Sequence, residues 1–188
     1  MKTEKYRGFL AIDITDENIV NNINKFQNEL KKANANIRYV NKENLHFTLK
    51  FFGKIDSKQI YEISKVVKET INDFKPFKIA INGTGVFPNE SNMKIIYVGI
   101  SESRDFLQLQ KTLDKKFETL GFKLEKKHIG HLTVGRLKNL KNKKNVREII
   151  KEFEEREIGE LTISKISLKK SELTSDGPNY TDLEVFEL

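Results

Sequence analysis

The sequence predicts an α+β protein of two β-α-β-β-α-β units related by a pseudo-two-fold axis. Antiparallel sheets are expected to line a central cleft, with helices outside. Three observations predict this. Strand-like runs alternate with four amphipathic stripes in an order that repeats after about 85 residues. The stretch "GFLAIDITDENI" at 8–19 has the same pattern as "KIIYVGISESRDF" at 94–106: an apolar strand, a hydroxyl cap, then a helix. Two tetrapeptides, "HFTL" at 46–49 and "HLTV" at 131–134, are nearly identical and fall at equivalent points of the repeat.

Strands are expected near 8–14, 37–40, 45–52, 77–86, 94–100, 122–126, 129–137, 160–170 and 180–187, from alternation and short apolar runs. The first helix, 16–33, carries Ile19, Ile23, Phe26 and Leu30 on one stripe, with Thr15 as N-cap. The second, 57–73, carries Ile60, Ile63, Val67 and Ile71 and starts at Asp56 or Ser57. The third, 104–120, carries Phe106, Leu109, Leu113, Phe117 and Leu120. It is capped by Ser103 and closed by Gly121, a natural left-handed residue. The fourth, 143–156, carries Val146, Ile149, Ile150 and Phe153. One bilobal domain over 1–188 is expected, with repeats at about 5–90 and 91–188 and closing strands free to exchange lobes.

Composition narrows the chemistry. With no cysteine among 188 residues, disulfides, thiolate catalysis and cysteine-based zinc sites are excluded. No apolar run reaches the roughly 18–20 residues needed to cross a bilayer, and the start has no signal-peptide pattern, so a cytoplasmic protein with no membrane partner is expected. The net charge of +7 raises the prospect of a polyanionic partner, although a lysine- and glutamate-rich surface is an equally good account of it.

Two of the three histidines open the paired tetrapeptides. On a strand, residues i and i+2 share a face. His46 and Thr48 then point one way, with Phe47 and Leu49 behind them; His131 and Thr133 do the same, backed by Leu132 and Val134. Two imidazoles and two hydroxyls would converge on one cleft. One ring can abstract a proton while the other donates one, and threonine hydroxyls suit the non-bridging oxygens of a phosphate. The constellation fits a phosphodiester and needs no cofactor or metal.

Paired H-x-T-hydrophobic motifs in a duplicated α+β chain resemble the two-histidine (2H) phosphoesterases, and among them the RNA 2′,3′-cyclic phosphodiesterases first described as 2′-5′ RNA ligases. "RGFLAIDI" at 7–14, "NLHFTLKFFG" at 44–53, "GFKLEKKHIGHLTVGRLK" at 121–138 and "SELTSDGPNYTDLEVF" at 171–186 are similar to the family's strands and motifs. The resemblance implies hydrolysis of a terminal 2′,3′-cyclic phosphate to a 2′-phosphate. It makes His46 the proton donor and His131 the proton acceptor, with Thr48, Thr133 and Arg136 on the phosphate. It also implies reverse, ATP-independent 2′-5′ ligation, and RNA ends (tRNA fragments among them) or nucleotides as partners of a monomer. The near-symmetric motifs do not themselves assign donor and acceptor. The alternatives are a non-catalytic RNA-end-binding module, or a phosphodiesterase for a small cyclic nucleotide or 2′-5′ oligonucleotide.

The flanking residues carry their own expectations. The family usually has proline where Gly130 stands. Arg136 lies five residues after His131, so it reaches the cleft only if the strand bulges or ends near Gly135. His128 faces away from His131 in a regular strand and is expected in solvent, not on a shared metal. Phe51 and Phe52 are expected in the core. Lys50 shares the parity of His46 and Thr48 and is expected as a solvated surface lysine.

Overall fold

Each of the four apolar stripes becomes a helix with an identifiable start. A computed structural model describes residues 4–139, 141–175 and 177–188; residues 1–3, Leu140 of the basic stretch and Asp176 of the closing hairpin lie outside the described residues. Helix α1 (Glu17–Lys32) begins one residue later than expected, because the Asp16 carboxylate, not Thr15, accepts the amides of Asn18 and Ile19. Helix α2 (Ser57–Ile71) opens on a reciprocal capping box between Asp56 and Gln59. In α3 (Arg104–Glu118) the Ser103 hydroxyl accepts the Phe106 amide. Its far end is closed by Gly121 at φ +86°, with Phe122 N–H bonded to Phe117 O and Gly121 N–H to Glu118 O. Helix α4 (Lys143–Glu152) follows Asn142 in a left-handed conformation with no side-chain cap.

The strands are β1 (Tyr6–Asp13), β2 (Ile37–Tyr39), β3 (His46–Ile55), β4 (Phe77–Phe87), β5 (Ile95–Ile100), β6 (His131–Leu137), β7 (Glu157–Ile163), β8 (Lys165–Thr174) and β9 (Gly177–Glu187). They form one antiparallel sheet in the order β7-β4-β5-β6-β3-β1-β8-β9, with β2 also paired to β6. The two expected sheets are thus continuous, joined by the single pair Phe47–Leu132 between β3 and β6. The α+β class and the duplicated, antiparallel architecture are as the sequence implied.

Two expected elements differ. Residues 122–126 form no strand, because the backbone there is held by side chains: Lys123 O accepts from Lys50 and Glu125 N–H donates to Asp114. The expected strand 160–170 divides near Ser164 into β7, which pairs with β4, and β8, which pairs with β1, so the chain crosses from one edge of the sheet to the other flank.

The helices exchange partners across the duplication. Helix α1, from the first half, packs on β6, β7 and α4; α3, from the second half, packs on β3 and α2. Their apolar stripes and the inner residues of both motif strands make one continuous core, including Phe26, Phe47, Phe117, Leu132 and Val134. Among the described residues no helix is long and apolar enough to cross a membrane.

Phe47 is fully buried beside Phe106 at the junction of the two flanks. Phe47→Ala is expected to cost about 3–5 kcal/mol in urea unfolding. Phe51→Ala, on the outer face of the same strand, is expected to change stability by less than about 0.5 kcal/mol.

Candidate active site

Both motif strands carry a bulge at the same place. In β3 against β1, Ala11 pairs with Thr48 and Leu10 with Lys50, so Leu49 is the extra residue. In β6 against β5, Tyr97 pairs with Thr133 and Ile96 with Gly135, so Val134 is the extra residue. A bulge shifts the side-chain alternation by one. Leu49 and Lys50 therefore both point inward, and Val134 and Gly135 are likewise both buried. The next residue of each strand, Phe51 or Arg136, turns out to the face that carries His46, Thr48, His131 and Thr133.

That one shift accounts for several differences from expectation. Arg136 faces the cleft, as required for a phosphate contact, and its charge is felt at His46 and Tyr180 on the other flank. Phe51, expected in the core, is 63% exposed, while Phe52 is buried against Phe117 and Phe122 as expected. Lys50, expected in solvent, is 3% exposed.

Each bulge is braced by a glutamine from the exchanged helix. Gln27 of α1 is buried and donates its amide to Val40 O and to Val134 O, at 2.9 Å each. Gln110 of α3, also buried, donates to Leu49 O at 3.4 Å. A buried carbonyl without a donor is costly; Gln110 supplies one to Leu49 O, and Gln27 adds a second to Val134 O, which also accepts the Val40 N–H at 3.0 Å. Nothing in the local sequence marks them. The signal available was their position, a polar residue beside the apolar stripe of each repeat's first helix.

The two histidines are held alike. His46 Nδ1 lies 2.7 Å from Asn44 O, and His131 Nδ1 lies 2.9 Å from Ile129 O. A carbonyl only accepts, so Nδ1 carries the hydrogen in both rings and Nε2 is left for the cleft. Aromatic rings wall each imidazole: Phe9 and Tyr180 beside His46, Phe87 and Tyr97 beside His131, with centroids 4.9–5.8 Å away. Phe47 and Leu132 pair directly, so the antiparallel register carries His46 toward Thr133 and Thr48 toward His131 on either side of that pair. Burial pushes the His46 pKa below the ordinary histidine value, and the nearby Lys169 and Arg136 add to this; the Asn44 carbonyl and Asp13 work the other way.

Behind β3 lies a buried ionic cluster. Lys50 pairs with Asp114 of α3 and donates to Lys123 O; Asp114 also accepts from Glu125 N–H at 2.8 Å and meets His128 Nε2 at 3.1 Å. His128 is thus not a solvent histidine: its side chain is only 14% exposed. Burial would raise the Asp114 pKa, but its bonds from Lys50, Glu125 N–H and His128 outweigh that and hold it below the usual carboxylate range. The cluster pins the segment 122–130 that delivers the Ile129 carbonyl to His131. Among the described residues no group of three or more His, Cys, Asp or Glu is placed to hold a metal ion.

Gly130 has a local reason. A Cβ there would collide with the Ile100 side chain and lie 3.0 Å from Phe106 Cε1. The concavity of about 410 Å³ along α2, lined by Ser57, Tyr61 and Lys68 among others, contains none of these histidines. The paired histidines lie on the open face of the sheet.

Residues 8–188 match the family described as the AKAP7 2′5′ RNA ligase-like domain. Among curated proteins, the chain is similar to the RNA 2′,3′-cyclic phosphodiesterase of Methanothermobacter thermautotrophicus, 43% identical over 184 residues, covering 98% of this chain and 100% of that protein. It is similar to that of Methanocaldococcus jannaschii at 38% over 174 residues, covering 93% and 96%. Among solved structures, a protein of Thermus thermophilus superposes with a TM-score of 0.82 at 25% identity, covering 97% of each chain. E. coli LigT complexed with 3′-AMP superposes at 0.74 and 21%, covering 99% of each, a likeness of fold.

Gln27→Leu takes the side-chain donor from Val40 O and leaves Val134 O with the Val40 N–H alone, and a loss of about 1–3 kcal/mol in urea unfolding is expected. NMR titration of the free protein should place the His46 pKa below 6.5. The sign for stability follows: between the lowered native value and about 6.5 the unfolded chain binds more protons, so His46 stabilises the fold fully above about pH 6.5 and loses this contribution as pH falls through the window. Unfolding measured across that range should show it, with the slope reduced in His46→Gln.

Proposed function

Because this chain belongs to the 2′-5′ RNA ligase-like family of 2H phosphoesterases, hydrolases whose curated members include RNA 2′,3′-cyclic phosphodiesterases, we propose that it opens a terminal 2′,3′-cyclic phosphate on RNA to a 2′-phosphate by two-histidine acid/base catalysis. The observation that carries this reading is the matched pair of imidazoles, both with Nδ1 tied to a backbone carbonyl and Nε2 left for the same face, on strands whose bulges bring Arg136 to that face.

In this mechanism the cyclic phosphate lies over the Phe47–Leu132 junction. Thr48, Thr133 and Arg136 hold its non-bridging oxygens. His131 Nε2 takes a proton from water as the water oxygen bonds to phosphorus. The bond from phosphorus to the 3′ oxygen breaks, and protonated His46 Nε2 gives that oxygen its proton, leaving a 3′-hydroxyl and a 2′-phosphate. Burial disfavours protonated His46 in the empty cleft. The anionic substrate changes this by adding negative charge beside the ring and engaging Arg136, so His46 takes up its proton with substrate. A 5′-hydroxyl in place of water would give a 2′-5′ linkage without ATP.

The partner is an RNA end, a tRNA fragment among the candidates, met by a monomer in the cytoplasm; the net charge of +7 favours the polyanion. Exposed Phe51 offers a stacking face for a base beside the cleft.

His46→Ala and His131→Ala are each expected to lower turnover of a 2′,3′-cyclic-phosphate-ended oligoribonucleotide by about 10²–10⁴-fold, with the wild-type product carrying a 2′-phosphate terminus. Turnover near wild type in either variant overturns the mechanism. Saturable binding with no product from the wild type would return the protein to the class of RNA-end-binding modules.

A further inference from the structure

The two motif strands superpose register for register, and the flanking strands do not. Asp13 pairs with His46 as Gly99 pairs with His131. One strand further out, Lys169 of β8 pairs with Phe9 as Phe87 of β4 pairs with Ile95. An acid and a base in the first copy thus correspond to a glycine and a phenylalanine in the second.

The charged residues form a chain beside His46. Lys169 Nζ lies 2.9 Å from Asp13 Oδ2 and 2.5 Å from Asp182 Oδ1, and Ser167 Oγ donates to Asp13 Oδ2 at 3.3 Å. Lys169 is almost wholly buried. Two carboxylates share one ammonium, so the chain carries a net charge of −1. Asp13 stands directly across the strand pair from His46, a placement that sets Cβ atoms about 4.5–5.5 Å apart. His131 has an aromatic wall like that of His46, Phe87 and Tyr97, but Gly99 across the strand pair in place of a carboxylate.

We propose that the Asp13–Lys169–Asp182 chain is what makes His46 the proton donor of the pair: Asp13 stabilises the imidazolium that must form there, and Gly99 offers His131 no such partner. Asp13 acts through His46, as a positioning residue, and the inference rests on the two-histidine reading above. The charged and titratable groups facing His46 are Asp13 on β1, Lys169 on β8, Tyr180 on β9 and Arg136 on β6, and Asp182 of β9 acts on it through Lys169. Arg136 and Lys169 oppose protonation. Bound phosphate engages the first, and the second is already shared between two carboxylates. The net −1 of the chain is what remains.

The test uses two substitutions of opposite sign. Asp13→Asn removes the carboxylate, and Lys169→Met removes the ammonium while keeping an apolar stem of similar length. The pH dependence of kcat on a cyclic-phosphate-ended oligonucleotide, which reports the substrate complex, has an alkaline limb, set by loss of the donor's proton, and an acid limb, set by protonation of the acceptor. Asp13→Asn is expected to move the alkaline limb down by about one pH unit, and Lys169→Met to move it up, while the acid limb stays within error. Asp13→Glu should restore most of the wild-type profile. An Asp13→Asn profile lowered equally at every pH, or a shift of the same sign in both variants, overturns the proposal and leaves the chain as a tether between strands. NMR titration of His46 and His131 in the free variants separates this failure from failure of the catalytic reading. If the wild type turns over nothing, the His46 resonance must still move in opposite directions in the two variants, with His131 unmoved, for the inference to survive. Should Asp13→Asn not fold, the upward shift in Lys169→Met decides alone.

Discussion

The geometry of the cleft depends on two bulges, at Leu49 and Val134, that shift the side-chain alternation of the motif strands. Strict alternation would bury Arg136 and Phe51 and expose Lys50, undoing the cleft and leaving Asp114 without its buried partner. A bulge of this kind is stable only if the freed carbonyl finds a donor. Leu49 O takes its donor from Gln110, and Val134 O from both Gln27 and the Val40 N–H, each glutamine on a helix from the opposite half of the chain. Helix exchange and cleft chemistry are therefore parts of one arrangement.

From that arrangement the rest follows outward. The bulge turns Lys50 inward onto Asp114, and Asp114 gathers the backbone of Glu125 and the ring of His128. The segment so held ends at Ile129, whose carbonyl sets the tautomer of His131. On the other flank, Asn44 sets the tautomer of His46 and also donates its side-chain amide to Pro178 O of the closing hairpin. Each imidazole is thus oriented by a carbonyl two residues upstream, in a segment fastened by side-chain hydrogen bonds from elsewhere in the fold.

Much of this is legible in the sequence where the signal is local. Helical stripes, the Asp56 and Ser103 caps and the Gly121 stop follow from spacing and backbone preference, and the repeated H-x-T places both histidines on one face. What escapes is whatever depends on the bulge. A period of two, carried past the point where it changes, puts Lys50 in solvent and Phe51 in the core. Arg136 needs that same irregularity, and the structure has it one residue before Gly135. His128 and the missing strand at 122–126 escape for another reason: their partner, Asp114, lies in a helix that gives no sign of receiving a buried lysine. Long-range polar pairs leave no periodic trace.

The exchange of α1 and α3 also bears on whether either half of the chain could stand alone. A self-sufficient half of about 90 residues would need its first helix on its own strands. In this chain residues 5–90 contain α1 but lack β6 and β7, which cover it, and they contain β3 but lack α3, which covers that strand. Neither half keeps a closed apolar core without the other. The symmetry is one of shape and not of self-sufficient parts; the two histidines come together only when the whole chain does.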